Sequence, residues 1–217
     1  MRMTINLMNL RFHDGHPQAD DLHRCVLTGL ADSPKQLPPK FFYDEAGSRL
    51  FAQIVEQPEY YLPAVERGIF DTHGDDIMRS LGLDGCTLIE PGAGCGIKVR
   101  FLLERARPAM YIPMDISAAH LRQSARRLAA DYPWLPIYAI CVDHTRPFEL
   151  PVEIPPAGRV FFYPGSSLGN FDPPAAIRFL HDLFSKAGAQ GRLLIGIDTN
   201  KASAVLTRAY NDAAGGP

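Results

Sequence analysis

Two rhythms of apolar positions divide the sequence. Up to about residue 80 the spacing is helical: Leu50, Phe51, Ile54 and Val55 share a stripe that stops before Pro58. A second stripe runs through Val65, Ile69, Ile77 and Leu81, with a break expected at Gly74. Before these, DLHRCVLTGL predicts a short helix ended by the Ser-Pro of ADSPKQLPPK. Residues 1 to 20 are polar and interrupted by glycine and proline, which suits an arm or a loosely docked strand.

The remainder alternates. CTLIEP, MYIPMDIS, LPIYAICVDH, GRVFFYPGSSLGNF and GRLLIGIDTN are apolar runs that predict five strands. Between them, helices are expected in IKVRFLLERAR, through Val99, Leu102 and Leu103, and from about Ala118 to Ala130. AAIRFLHDLFSKAGA places Ile177, Leu180 and Phe184 on one face, and KASAVLTRAYNDAA closes the series. Continuous apolar strands joined through helices belong to a parallel sheet covered on both faces. The expected fold is therefore α/β and Rossmann-like, with residues 1–80 forming an N-terminal arm and helical region and 81–217 the sheet domain. Its ligand edge should lie at the C-terminal ends of the strands.

Composition narrows the function classes. A chain of 217 residues, 46% apolar, suffices for one buried core. With 22 basic and 24 acidic residues the formal charge is -2, which gives no reason to expect nucleic acid or an anionic membrane as partner. No window reaches the roughly 18 apolar residues of a bilayer span, and the first residues lack a secretory apolar segment. A cytoplasmic location is expected. Cys25, Cys86, Cys95 and Cys141 match neither zinc-ligand spacing nor a disulfide framework, so they read as reduced thiols and no metal is expected.

The candidate chemistry sits at the strand ends. Glu90-Pro91-Gly92-Ala93-Gly94-Cys95-Gly96 joins the first apolar run to a helix, and its glycines allow a cofactor close to the backbone. A dinucleotide turn, G-x-G-x-x-G, has its third glycine one place later. Asp115 ends the second strand, where a carboxylate can accept from ribose hydroxyls, and Asp143 ends the third, suited to an adenine amine. The same residues also fit blander roles, a tight strand-to-helix turn and helix N-caps. Together they define one nucleoside pocket.

This pattern resembles class I S-adenosylmethionine methyltransferases. Longer stretches, FFYDEAGSRLF, PEYYLPAVE, LIEPGAGCGIKVRFLL, YIPMDIS, FFYPGSSLGNFDP, LLIGIDTNK and AYNDAAG, resemble the histidine Nα-methyltransferases of ergothioneine biosynthesis. The resemblance implies S-adenosyl-L-methionine as cofactor, S-adenosyl-L-homocysteine as product, and a free amino acid, L-histidine first, as substrate. It implies that Tyr43 lines the pocket near the substrate side chain, and that Tyr60 and Asn170 grip the substrate carboxylate and amine as the catalytic pair. Tyr210 matches a further substrate-facing tyrosine, and Gly165 marks the backbone beside the amine. Gly92, Gly94, Lys98, Asp115, Asp143 and His144 fall on the cofactor side. Tyrosine hydroxyls and an amide orient a zwitterion without adding charge that would hold its amine protonated. Without the resemblance, Tyr60 and Tyr61 also read as a buried aromatic pair, and Asn170 as a polar turn residue before Phe171-Asp172-Pro173.

The sequence departs from the family at Pro91 and Ala93, at Cys95 and Gly96, and at His144, where an aromatic usually follows the acid. Family members also continue well beyond AYNDAAG, through two more strands and the residues that read the imidazole. The expectation is thus a sheet truncated after its fifth strand, with an apolar edge that self-association or a partner chain would cover. Three other functions remain in view: methylation of another amino acid, a non-catalytic nucleoside-binding protein, and an NAD-dependent oxidoreductase, which the glycine spacing disfavours.

Overall fold

The computed structural model describes residues 8–15, 22–42 and 44–211. Its frame is a six-stranded sheet, and every pairing in it is parallel. The strands are β1 (Leu10–Asp14), β2 (Thr87–Pro91), β3 (Met110–Asp115), β4 (Ile137–Cys141), β5 (Arg159–Tyr163) and β6 (Arg192–Ile195), in the order β1-β4-β3-β2-β5-β6. The five expected strands are present. The sixth, β1, comes from the N-terminal arm and pairs with β4 from Leu10 beside Ile137 to Asp14 beside Cys141. The Asn9 amide fixes its approach by donating to the carbonyls of Ala129, Tyr132 and Leu135 at 3.2, 3.2 and 3.0 Å. Residues on both sides of position 80 therefore share one sheet.

β2 is sealed on both faces: all five residues are buried, as a central parallel strand requires. One face carries Leu88, Tyr111, Ala139, Val160 and Phe162 against the helices α3 (Leu62–Leu81) and α5 (Ala118–Asp131). The other carries Ile89, Ile112, Ile140 and Phe161 against α6 (Pro173–Ala187). Side chains such as Ile89, Ile112 and Phe161, each at 0% exposure, contribute about 1.5–3 kcal/mol apiece by burial.

Three helices differ from the sequence pattern. The break expected at Gly74 does not occur: α3 runs unbroken from Leu62 to Leu81 and ends at Gly82 with φ 53°. Gly74 is instead a packing position, since a Cβ there would come within 2.9 Å of Arg105 Nε. The helix after the glycine turn, α4, shrinks to Arg100–Leu103, with Leu102 and Leu103 buried. In α6 the buried stripe is Phe179, Leu183 and Ala187, whereas Ile177 and Phe184 are 68% and 76% exposed. That helix is apolar on two sides, and periodicity could not say which one the sheet takes. Asp172 caps it by accepting from Ala175 N at 2.7 Å, with Pro173 in the first turn.

No helix among the described residues is long and apolar enough to cross a membrane. Cys86 and Cys141 are core thiols; burial pushes the first up to about 12 and the second to about 11, so both stay protonated.

Candidate cofactor and acceptor site

Strand order reverses at β2. From it the chain steps outward through β3 and β4 on one side and through β5 and β6 on the other, so the ligand crevice of such a sheet belongs beyond the C-terminal ends of β2 and β5. The glycine turn lies on one lip of that crevice and Gly165 on the other.

Gly92, Gly94 and Gly96 all adopt positive φ, at 70°, 54° and 69°. Each lacks a side chain for a different reason. A Cβ on Gly92 would press within 3.2 Å of His144 Cε1, and one on Gly96 would meet Leu128 Cδ1 at 2.7 Å. Around Gly94 there is nothing within 4 Å, so that backbone is open to a ligand. Asp115 ties the turn to β3: its carboxylate accepts from Gly94 N at 3.1 Å and from Ser117 N at 2.9 Å. The N-cap position of α5 belongs to Ser117 and not to Asp115.

Asp143 is 6% exposed and already engaged. It accepts from Lys40 Nζ at 2.9 Å, from Thr145 N at 3.0 Å and from the Thr145 hydroxyl at 2.5 Å. Burial alone would raise its pKa; the Thr145 hydroxyl and the Lys40 ammonium outweigh it and hold the carboxyl below the usual range. Beside it His144 is half-buried, and its Nδ1 is enclosed with no hydrogen-bond partner among the described residues. Burial lowers the ring's pKa, partly opposed by Asp115 and Asp143, so a neutral imidazole lies against Gly92. An open glycine, a carboxylate at the end of β3 and an orphaned ring nitrogen are groups that suit a nucleoside.

Of the residues expected on the acceptor side, the Tyr60 ring packs edge-on against Tyr210 at 5.8 Å and against Phe51 at 6.4 Å. Tyr61 donates to Asp198, which also pairs with Lys201, while Asp198 N donates to Ser166 Oγ at 3.0 Å. These bonds join the start of α3, the end of β6 and the turn after β5. Gly165 has φ 79°, and its N–H donates to Glu66 at 2.7 Å. Asn170 closes a 3-10 turn, Ser167–Asn170, and is exposed. Tyr210 is 54% exposed at the end of α7 (Ser203–Ala209). Tyr43 lies outside the described residues.

Four contributors were not foreseen from sequence. Lys98 binds Glu66 at 2.8 Å, Lys40 reaches Asp143 across 103 positions, and Glu90 and Tyr111 form a buried pair under the glycine turn at 2.5 Å. Glu90 had a visible signal, a charge inside an apolar strand. Glu66 closes the quoted PEYYLPAVE segment, whereas nothing local marks Lys40. Among the described residues no His, Cys, Asp and Glu group could hold a metal ion. A shallow hollow of about 120 Å³ among Gly82, Asp84, Cys86, Gly158 and Arg192 lies at the strand starts, away from all of these groups.

The fold is that of class I S-adenosylmethionine-dependent methyltransferases. Magnesium protoporphyrin IX methyltransferase from Synechocystis PCC 6803, solved with bound S-adenosylmethionine, superposes with a TM-score of 0.50 at 11% identity, over 80% of this chain and 82% of its own. Residues 22–216 match the family described as histidine-specific methyltransferase, SAM-dependent, and the chain belongs to that family. It is 39% identical over 218 residues to histidine N-alpha-methyltransferase of Mycolicibacterium smegmatis, covering 98% of this chain and 66% of that protein. The corresponding Mycobacterium tuberculosis enzyme is 37% identical, over 89% of this chain and 60% of its own length. The 4-dimethylallyltryptophan N-methyltransferase of Claviceps purpurea is 27% identical, over 88% and 59%. The chain thus spans about two thirds or less of the relatives it matches.

Proposed function

We propose that the protein transfers methyl groups from S-adenosyl-L-methionine to the α-amine of a free amino acid, L-histidine first, giving the trimethyl betaine hercynine and S-adenosyl-L-homocysteine. The observation that carries this reading is the 39% identity to a histidine N-alpha-methyltransferase across 98% of the chain, with the glycine turn, Asp115 and Asp143 gathered at one sheet edge. The cofactor supplies an electron-poor methyl group ready for attack, so the chain's own work is positioning. Gly94 leaves room for the nucleoside, Asp115 holds the ribose, and Asp143 with His144 frames the base. Tyr43, Tyr60, Asn170 and Tyr210 orient the amino acid, and Gly165 bounds its amine. Their neutral groups leave the amine free to shed its proton, without which it has no lone pair to donate. In this reading residues 1–80 lend Tyr43 and Tyr60 to the substrate side, which Gly165, Asn170 and Tyr210 complete, while the cofactor side comes from residues 81–217. Four unpaired cysteines support a cytoplasmic site of action.

A second reading keeps the chemistry and changes the amino acid, which the 27% identity to an N-methyltransferase of 4-dimethylallyltryptophan favours. Incubating the complete gene product with S-adenosylmethionine and each amino acid, with mass analysis of the products, tests both readings. Trimethylated histidine is the expected result. A betaine of another amino acid alone would transfer the assignment to the second reading, and no methylated amino acid at all would overturn both.

A further inference from the structure

The groups proposed to orient the amino acid arrive on separate segments, and one residue is bonded to each of those segments. Tyr60 enters at the start of α3, Gly165 and Asn170 flank the turn after β5, and Tyr210 follows α7. Asp198, just beyond β6, accepts from the hydroxyl of Tyr61, next in the chain to Tyr60. Its N–H donates to Ser166 Oγ at 3.0 Å, next in the chain to Gly165. Its other carboxylate oxygen pairs with Lys201 and accepts from Thr199 N at 2.9 Å, which shapes the link from β6 into α7. Lys201 Nζ lies 5.0 Å from the centre of the Tyr61 ring, so the knot closes on itself.

Two observations set this knot apart from an ordinary surface ion pair. Ser166 has φ 57° and ψ 21°, and among the described residues no other residue but glycine has a positive φ. A serine adopts that left-handed conformation only where the surrounding structure imposes it. Here the constraint comes from the end of β6: Asp198 N donates to the Ser166 hydroxyl, and Ser166 N donates to Gly196 O at 3.1 Å. The turn that Ser166 opens ends at Asn170. The second observation is saturation. A carboxylate offers about four lone-pair sites, and Asp198 gives them to Lys201, Tyr61 and Thr199 N. The Lys201 ammonium and the Tyr61 hydroxyl hold its carboxyl below the usual range, so it stays ionised. A group so occupied holds its neighbours and has little left to offer a ligand.

We propose that Asp198 is a positioning residue of the acceptor site: through Tyr61, Ser166 and Lys201 it sets where Tyr60, Asn170 and Tyr210 stand relative to one another. This deepens the proposed function and rests on it, whichever amino acid is methylated. Asp115 and Asp143, on the cofactor side, are held by other donors, Gly94 N, Ser117 N, Thr145 and Lys40. A fault in the knot is therefore felt by the amino acid and not by the cofactor.

Steady-state kinetics on the complete gene product, with the amino acid and S-adenosylmethionine varied in turn, separates positioning from bracing. Asp198→Ala should lower kcat/KM for the amino acid on the order of 100-fold, the cost of a misplacement of about 1 Å at the reacting groups. KM for S-adenosylmethionine and calorimetric affinity for S-adenosylhomocysteine should stay at wild-type values, which also reports an intact fold. Tyr61→Phe, a milder change that removes only the hydroxyl, should lower the same constant. The double variant should be no worse than Asp198→Ala alone, because Tyr61 acts through that carboxylate. Equal losses for both substrates would make the knot a general brace and overturn the proposal, as would wild-type kcat/KM in Asp198→Ala or additive losses in the double variant. A wild-type protein that methylates no amino acid would overturn the proposed function itself, and the role of Asp198 with it, before any substitution is made.

Discussion

The two lips of the crevice are built by different means. On the lip proposed to hold the cofactor, the polar groups hang from strands with no exposed side: Ile89, Tyr111, Ile112 and Met114 are all 0% exposed, and Asp115 and Asp143 are held by backbone and side-chain donors. On the lip proposed to hold the acceptor, Asn170 ends an exposed 3-10 turn, Tyr210 follows a seven-residue helix, and Phe51, packed on Tyr60, is 40% exposed. The cofactor lip is thus preorganised by the core. The acceptor lip depends on aromatic contacts among short elements, and its geometry is cheaper to change.

The largest effect expected from breaking this contrast lies beneath the rigid lip. Burial pushes the Glu90 carboxyl up to about 8, with the Tyr111 hydrogen bond only partly opposing it, so at neutral pH it is mostly protonated. Its folded pKa lies above the unfolded value near 4.5, so the stability from the protonated form is full below about pH 4.5 and is lost as pH rises through about 8. Between those limits each pH unit should cost up to about 1.4 kcal/mol. Urea unfolding at pH 5 and pH 8 checks this: wild type should lose stability over the interval more steeply than Glu90→Gln, which has no proton to release. Parallel profiles would mean that Glu90 is ionised in the fold.

The flexible lip should respond in activity alone. In the complete gene product, Asn170→Ala should cut methyl transfer on the order of 100-fold, the loss of one or two hydrogen bonds to charged groups of the substrate. Affinity for S-adenosylhomocysteine should not change. Equal loss of binding and turnover would make Asn170 a structural residue of the turn before α6.

Asp115→Ala should act in the opposite sense. It removes the proposed acceptor for ribose hydroxyls and also frees Gly94 N and Ser117 N, so S-adenosylhomocysteine should bind more weakly by about 1.5–3 kcal/mol. An unchanged dissociation constant by calorimetry would place the ribose elsewhere.

The same contrast explains what could be read from sequence. Buried parallel strands announce themselves as apolar runs, and the glycine turn, Asp115 and Asp143 sit at their ends, where chain order fixes spatial order. The pairing of β1 was harder to see, because LRFHD alternates exposed and half-buried positions and the strand docks through Asn9. Lys40 and Glu66 were invisible as partners, since each meets its target through tertiary contact 103 or 99 positions away. α6 misled for a different reason: both of its sides are apolar, so the moment of the helix could not choose between Phe179 with Leu183 and Ile177 with Phe184.

That second apolar side gives the smallest expected change in stability. Among the described residues β6 pairs only with β5, leaving one row of its backbone groups without a strand partner, and Leu193 and Ile197 near that edge are 40% and 66% exposed. Ile177 and Phe184 on α6 add further uncovered apolar surface. Open edges and apolar patches of this kind favour association between chains. The 217-residue chain should therefore self-associate, with negligible turnover on histidine while its acceptor lip stays loose. Replacing Ile177 and Phe184 by Ser should change unfolding stability by no more than about 0.5 kcal/mol per site, because exposed positions contribute little to the fold. The same replacements should move the sedimentation distribution toward monomer. A chain already monomeric at high concentration, or a double variant that unfolds well below wild type, would show that these side chains are covered by part of the same molecule.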